Sequence, residues 1–320
     1  MAIKNVVVGF EPRPDLVDRI RAVLDDGGAD VVVAASQDDL AAAVVDADVL
    51  FGGRLTPELV KKAVRLKWFQ TNSAGVENVA SPELADSGIM VSNASGAHAT
   101  QISEHTLAMM LAFARDLPKA VRAQDDRAWI RTEMNTFELD GGILAIAGLG
   151  DLGGALADKA KALGMTVLAT KMRVTTKPVS VDEIFDPDGL DDIIARADFV
   201  ADTLPLTPET RHTFGLDQFR RMKSSAFFFN VGRGGTVNQV DLITALETGE
   251  IAGAGLDVTE PEPLPAESPL WTMRNVILTY HSSGSSPHVV GRHYQIFLDN
   301  LERFQSGRPL ANVVDVRAGY

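Results

Sequence analysis

The chain has 320 residues, enough for about two domains, and 45% of them are hydrophobic, so it can bury sizeable cores. Lys plus Arg is 30 and Asp plus Glu is 43; the resulting formal charge of -13 argues against a nucleic-acid partner and favours solubility. There are no cysteines, which excludes disulfides, thiolate chemistry and Cys-ligated zinc.

The opening residues, Met1 to Val8, enter a strand pattern and lack the h-region and cleavage site of a secretory signal. Short β-branched-rich runs at Asn5–Phe10, Val31–Ala35, Val49–Gly53, Trp68–Thr71 and Ile89–Ser92 predict strands. Between them Asp15–Asp25, Gln37–Asp46, Thr56–Arg65 and Ser81–Ser87 predict helices, with Ser36 and Thr56 as N-caps and Pro57 at a first helical position. This alternation implies a parallel sheet with helices on its faces.

A longer helix is predicted from Thr100 to Leu117. Its stretch Leu107 to Ala114 is apolar on every side, which predicts burial all round, between domains or in a subunit interface. Pro118 is expected to end or kink it. The stretch is too short to span a bilayer, so a cytoplasmic location is the default expectation.

A second alternating series has predicted strands Ile143–Ala147, Thr166–Thr170, Phe199–Thr203, Ala226–Val231, Ala254–Val258 and Val276–Thr279. Directly after the first of them comes Gly148-Leu149-Gly150-Asp151-Leu152-Gly153, a G-x-G-x-x-G, with a helical stretch from Ala155 to Leu163 behind it. A strand, a tight glycine turn and a helix N-terminus are what a dinucleotide pyrophosphate needs. The helix predicted over Val289 to Phe304 could fold back onto the first domain. The expected division is 1–98 plus 290–320 as a substrate domain and 99–289 as a dinucleotide-binding domain.

Polar residues recur at strand ends of the second half, the edge where open α/β sheets bind ligands. Arg233 follows one run, Asp257 ends another with Glu262 five residues further on, and His281 follows a third. A guanidinium suits a carboxylate, and a histidine beside a carboxylate suits proton transfer. Taken singly, an Arg there also reads as a surface ion pair and a His as a hydrogen-bonded spectator.

Together these segments resemble the D-isomer-specific 2-hydroxyacid dehydrogenase family over nearly the whole length. The resemblance rests on Gly148 to Gly153, Leu204-Pro-Leu-Thr-Pro-Glu-Thr210, Asn230-Val-Gly-Arg-Gly-Gly235, Gly255-Leu-Asp-Val-Thr-Glu-Pro-Glu-Pro-Leu-Pro265 and His281 with its Ser/Gly tail. It implies two doubly wound parallel-sheet α/β domains, a flavodoxin-like substrate domain and a Rossmann-type nucleotide-binding domain. It also implies an inter-domain cleft and a homodimer. By the same resemblance Arg233 would hold the substrate carboxylate, His281 would exchange the proton, Glu262 would pair with His281, and Asp257 would hold the nicotinamide carboxamide. Asn72, Ser73, Ala74 and Gly75 resemble the family's substrate loop, although a plain glycine turn reads the same way. The cofactor set it implies is Gly148, Gly150, Asp151, Leu152, Gly153, Leu204, Pro205, Val231, Gly232, Asp257, Ser283 and Gly284.

Two departures matter. An NAD-using member usually has an acid at the end of the second nucleotide-domain strand, whereas this chain has Lys171 with Arg173 close by, which would attract a 2′-phosphate. NADP(H) is therefore the expected cofactor, with NAD(H) the other option. Tyr280 stands where the family commonly has proline, and could narrow the site, hydrogen-bond substrate or do neither. The expected activity is hydride transfer between NAD(P)H and a small 2-oxo acid, or back from a D-2-hydroxy acid. A nucleotide-sensing interaction protein of the same fold, and a phosphite- or formate-type dehydrogenase, are the other readings; formate enzymes of the family pair the His with Gln, not with an acid like Glu262.

Overall fold

The computed structural model describes residues 3–24, 28–76, 79–174 and 176–317. The chain divides into two compact units, 1–97 with 286–320 and 98–285.

The first unit runs β1 (Asn5–Val8), α1 (Asp15–Leu24), β2 (Asp30–Val33), α2 (Gln37–Ala43), β3 (Val49–Phe51), α3 (Pro57–Lys62), β4 (Trp68–Gln70), α4 (Pro82–Asp86) and β5 (Met90–Ser92). All five strands are parallel in the order β2-β1-β3-β4-β5, the flavodoxin-like winding. Ser36 caps α2 with a reciprocal capping box, and Thr56 caps α3 ahead of Pro57. The predicted helix end at Asp25 lies outside the described residues.

Alternation along each strand sends successive side chains to opposite faces. Val7, Leu50 and Phe69 join the core under α2 and α3, while Val6, Val8, Val49, Phe51 and Trp68 face α1 and the chain's last helix. In that last helix (Val289–Gln305), Phe297 lies 4.2 Å from Phe51, ring on ring, and Asn300 donates to the buried Gln70 Oε1 at 3.1 Å.

The second unit opens with α5 (Ala99–Ala114) and α6 (Leu117–Asp125). Then come β6 (Ile143–Ala147), α7 (Asp151–Ala162), β7 (Thr166–Thr170), β8 (Glu183–Phe185), α8 (Leu190–Arg196), β9 (Phe199–Asp202), α9 (Leu216–Arg221), β10 (Phe227–Asn230), α10 (Gln239–Thr248), β11 (Gly253–Leu256) and β12 (Val276–Leu278), and the last helix of the chain is α11. The seven-stranded sheet has the order β12-β11-β10-β9-β6-β7-β8, so strand order reverses between β6 and β9. That reversal is the switch point of a Rossmann-type sheet.

Three expectations need correction. Helix α7 begins at Asp151, not Ala155, because Gly150 is extended and already serves as its N-cap. Pro118 does not end a helix; it sits in the first turn of α6, where a missing N–H costs nothing. Helix α5 is not buried all round within the chain, since Leu111 is 40% exposed.

Asp48, at the foot of β3, ties three strands together. Its carboxylate accepts N–H bonds from Lys4 (2.8 Å) and Asn5 (3.1 Å) and pairs with Lys67. Burial pushes the carboxyl up, but these donors outweigh it and hold it below the usual range. A lowered folded-state value means that the ionised form stabilises the fold above the unfolded value, and that this contribution is lost as pH falls through the folded one. Asp48→Asn should therefore cost about 1–2 kcal/mol at neutral pH, with the difference from wild type shrinking below about pH 4. Thermal melts of both proteins across that range check this; an Asn variant of wild-type stability at pH 7 would contradict it.

Candidate active site

The glycine turn is built by close packing. Gly148 has φ +93°, and a Cβ there would meet Leu204 Cδ2 at 3.0 Å. A Cβ on Gly153 would sit 2.6 Å from the Gly148 carbonyl, so only glycine lets α7 lie this close to β6. Gly150 differs, because a Cβ there meets nothing within 4 Å. Its open side, and an α7 N-terminus with no side-chain cap on its 12 residues, suit a phosphate. Asp151 and Leu152 form the first turn of that helix. Lys171, just past β7, donates from Nζ to the Leu149 carbonyl at 3.0 Å, which places its ammonium at the turn. Arg173 is exposed two residues on.

The exit of β9 is clamped from two sides. Gly148 presses on Leu204, and a Cβ on Gly232 would meet the Leu204 carbonyl at 2.7 Å. Thr203 donates to the Gly148 carbonyl at 2.6 Å. Leu204, the buried Val231 and Gly232 thus form one packed shelf beside the glycine turn, with Pro205 exposed next in the chain.

Arg233, Asp257 and His281 follow β10, β11 and β12, three adjacent parallel strands. The Arg233 loop is set by its backbone: its carbonyl accepts from Asn230 Nδ2 (3.0 Å) and Thr236 Oγ1 (2.6 Å). His281 Nδ1 lies 2.8 Å from Glu262 Oε2, and Glu262 Oε1 accepts the Thr259 N–H at 3.0 Å. With Nδ1 carrying the hydrogen towards Glu262, Nε2 is the nitrogen left for exchange with a ligand. The His281 side chain is 54% exposed.

Asp257 is tied into its own loop. Its side chain is 1% exposed. Oδ1 accepts from Thr279 Oγ1 (2.7 Å), Ser282 N–H (2.9 Å) and Ser283 N–H (3.2 Å), and Oδ2 accepts from the Ser283 hydroxyl. The Asp257 backbone carbonyl accepts the His281 N–H at 2.6 Å. A carboxylate so engaged anchors the histidine loop.

That loop needs an anchor, because Tyr280 and His281 are consecutive left-handed residues, φ +56° and +55°. Each costs on the order of 1 kcal/mol or more for a residue with a Cβ. Proline's φ is fixed near −65°, so this turn cannot hold one at position 280. Tyr280 is 75% exposed and its ring stacks on Trp271 at 6.0 Å. It borders a cavity of about 350 Å³ whose lining includes Leu256, Leu264, Leu278, His281 and Glu262. Gly284 takes donors from Gln101 and His98.

In the first unit, Asn72 to Gly75 follow β4. The Ser73 carbonyl accepts from Thr71 and Ala94, and the Ala74 carbonyl from Asn93 Nδ2 at 2.7 Å. The N–H groups of Ser73, Ala74 and Gly75 donate to no acceptor among the described residues. Asn72 also lines a cavity of about 250 Å³ with Arg13 and His293.

Sequence reading missed Thr279 and His105, which touch each other at 2.8 Å behind Asp257, and the buried Asp202 with Thr236. An acid closing the apolar run Phe199 to Asp202 was the one visible signal.

A glycine turn at a switch point, with an arginine and a His–Glu pair on neighbouring strand ends, is the arrangement of a dinucleotide-binding oxidoreductase. Residues 107–283 match the model of the D-isomer specific 2-hydroxyacid dehydrogenase NAD binding domain. The chain is 32% identical over 322 residues to glyoxylate/hydroxypyruvate reductase B of Yersinia pestis, covering 98% of each. It is 32% identical over 302 residues to D-3-phosphoglycerate dehydrogenase of Methanocaldococcus jannaschii, covering 93% of this chain but spanning only 57% of that protein. Among solved structures it is similar to the NADPH-dependent glyoxylate/hydroxypyruvate reductase of Sinorhizobium meliloti in complex with NADP and sulfate, with TM-score 0.83, 30% identity and coverage of 99% and 100%. The chain belongs to the D-isomer-specific 2-hydroxyacid dehydrogenase family.

Asp257→Ala should free the strained pair. We expect amide exchange at Thr279 to Ser283 to rise by about two decades, as loss of charge-assisted bonds worth about 2–3 kcal/mol implies. Hydrogen exchange read by mass spectrometry checks this, and unchanged protection would show that the anchor lies elsewhere.

Proposed function

We propose that the chain is an NADP(H)-preferring reductase of small 2-oxo acids, giving D-2-hydroxy acids. The observation that carries this is the His281–Glu262 pair at 2.8 Å, on the strand end next but one to the Arg233 loop. When bound, the nicotinamide cofactor supplies the hydride that reaches the keto carbon. Arg233 binds the substrate carboxylate through paired N–H donors and orients the carbonyl. His281 gives the proton from Nε2 to the carbonyl oxygen as charge develops there. Glu262 holds Nδ1–H, fixing the tautomer and leaving Nε2 to the substrate. In the first unit, the N–H groups of Ser73 to Gly75, without an acceptor among the described residues, suit an anion such as a carboxylate.

A panel of 2-oxo acids, glyoxylate and hydroxypyruvate included, followed by nicotinamide absorbance tests the reading. We expect turnover on at least one small member and a fall in kcat of roughly 10²–10⁴ in His281→Ala, with cofactor affinity little changed. No turnover on any acid, or a variant as fast as wild type, would overturn it.

Lys171 at the glycine turn supports the cofactor preference, since its ammonium stands where an acid would repel a 2′-phosphate. The NADP bound in the Sinorhizobium meliloti structure supports it too. Lys171→Asp should lower kcat/KM for NADPH by about one to two decades, leaving NADH equal or better. A wild-type enzyme that favours NADH would sink this assignment.

A further inference from the structure

The end of β9 holds an acid that the proton relay does not use. Asp202 is fully buried. Oδ1 accepts the Leu204 N–H at 3.0 Å, and Oδ2 lies 2.5 Å from Thr236 Oγ1. The same hydroxyl lies 2.6 Å from the Arg233 carbonyl. A hydroxyl has one hydrogen to give. If Asp202 is ionised, both neighbours of Thr236 are acceptors, and one of these two short contacts has no hydrogen in it. If Oδ2 carries a proton, both contacts are hydrogen bonds in series, and each of them has its own hydrogen.

We propose that Asp202 is a positioning residue held as a neutral acid: it donates to Thr236, Thr236 donates to the Arg233 carbonyl, and the series sets the loop that presents the Arg233 guanidinium. The electrostatics agree. Burial pushes the carboxyl up to about 7, against the Thr236 hydroxyl and the Leu204 N–H, and no neighbouring charge contributes to the rise. Opposite Asp202, β6 brings Ala147 and β10 brings Asn230, and the segment 203–206 has no titratable residue. The loop 231–236 brings Arg233, whose Nη1 donates to the Gly232 carbonyl at 2.8 Å. Asn230 Nδ2 supports the same Arg233 carbonyl from the other side at 3.0 Å, so loss of the Thr236 bond loosens the loop without releasing it.

The functional half of the proposal rests on the reading that Arg233 binds a substrate carboxylate. The test uses D202N, whose amide reproduces the neutral acid: Nδ2–H towards Thr236, oxygen towards Leu204. The ratio of the two proteins' KM values at each pH isolates Asp202. With glyoxylate and saturating NADPH we expect a wild-type to D202N KM ratio near one at about pH 6, rising several-fold by about pH 8.5 as Asp202 ionises. T236V should raise KM at both pH values. A ratio flat across pH, or a KM already raised in D202N at pH 6, would overturn the proposal. Independently of activity, the full chain labelled with ¹³C-aspartate should show the infrared carbonyl band of a protonated carboxylic acid at about pH 6, absent in D202N. A wild-type spectrum without that band refutes the neutral acid outright. If the band is present but no 2-oxo acid is turned over, it is the proposed function that fails, not the location of the proton.

Discussion

The site depends on one buried carboxylate. Asp257 spends both oxygens on the turn after β12, and its backbone carbonyl holds the His281 N–H. Four polar groups converging on one charge stabilise two successive left-handed residues that would otherwise relax. The histidine is thereby held where Glu262 reaches its Nδ1. Removing this anchor leaves His281 and Glu262 in the sequence but releases the geometry of the histidine.

Steric constraint does for the cofactor side what the carboxylate does for the histidine. Gly148 and Gly232 close on the segment after β9 from opposite sides, and a side chain at either would push it away. The shelf, the glycine turn and the Arg233 loop therefore cannot shift independently. Interiors packed this tightly transmit displacement rather than absorb it. Of the three motif glycines Gly148, Gly150 and Gly153, it is Gly150 that has open space at its Cβ, on the surface suited to phosphate.

Much of this was legible because buried parallel strands are continuous apolar runs, and β6 and β7 match their predicted spans end to end. Strand β8 escaped because it is a three-residue edge strand with every residue half-buried, so it carries no such signal. Helices α8 and α9 are short, seven and six residues, and their pattern is too brief for a 3.6-residue period to show. Arg233, Glu262 and His281 were legible from spaced motifs. Asp202 and Thr236 were not, because they stand 34 residues apart and only the pairing of β9 with β10 brings them together. The left-handed turn at Tyr280 was foreshadowed only by the missing proline.

In the proposed reaction, His281 delivers the proton in the step that reduces the carbonyl. Single-turnover oxidation of bound NADPH by glyoxylate, compared in light and heavy water, tests it most directly. We expect a slower wild-type step in heavy water, and a His281→Ala step that is much slower in both solvents and no longer sensitive to the exchange. A wild-type rate identical in the two solvents, with His281→Ala keeping pace, would contradict it.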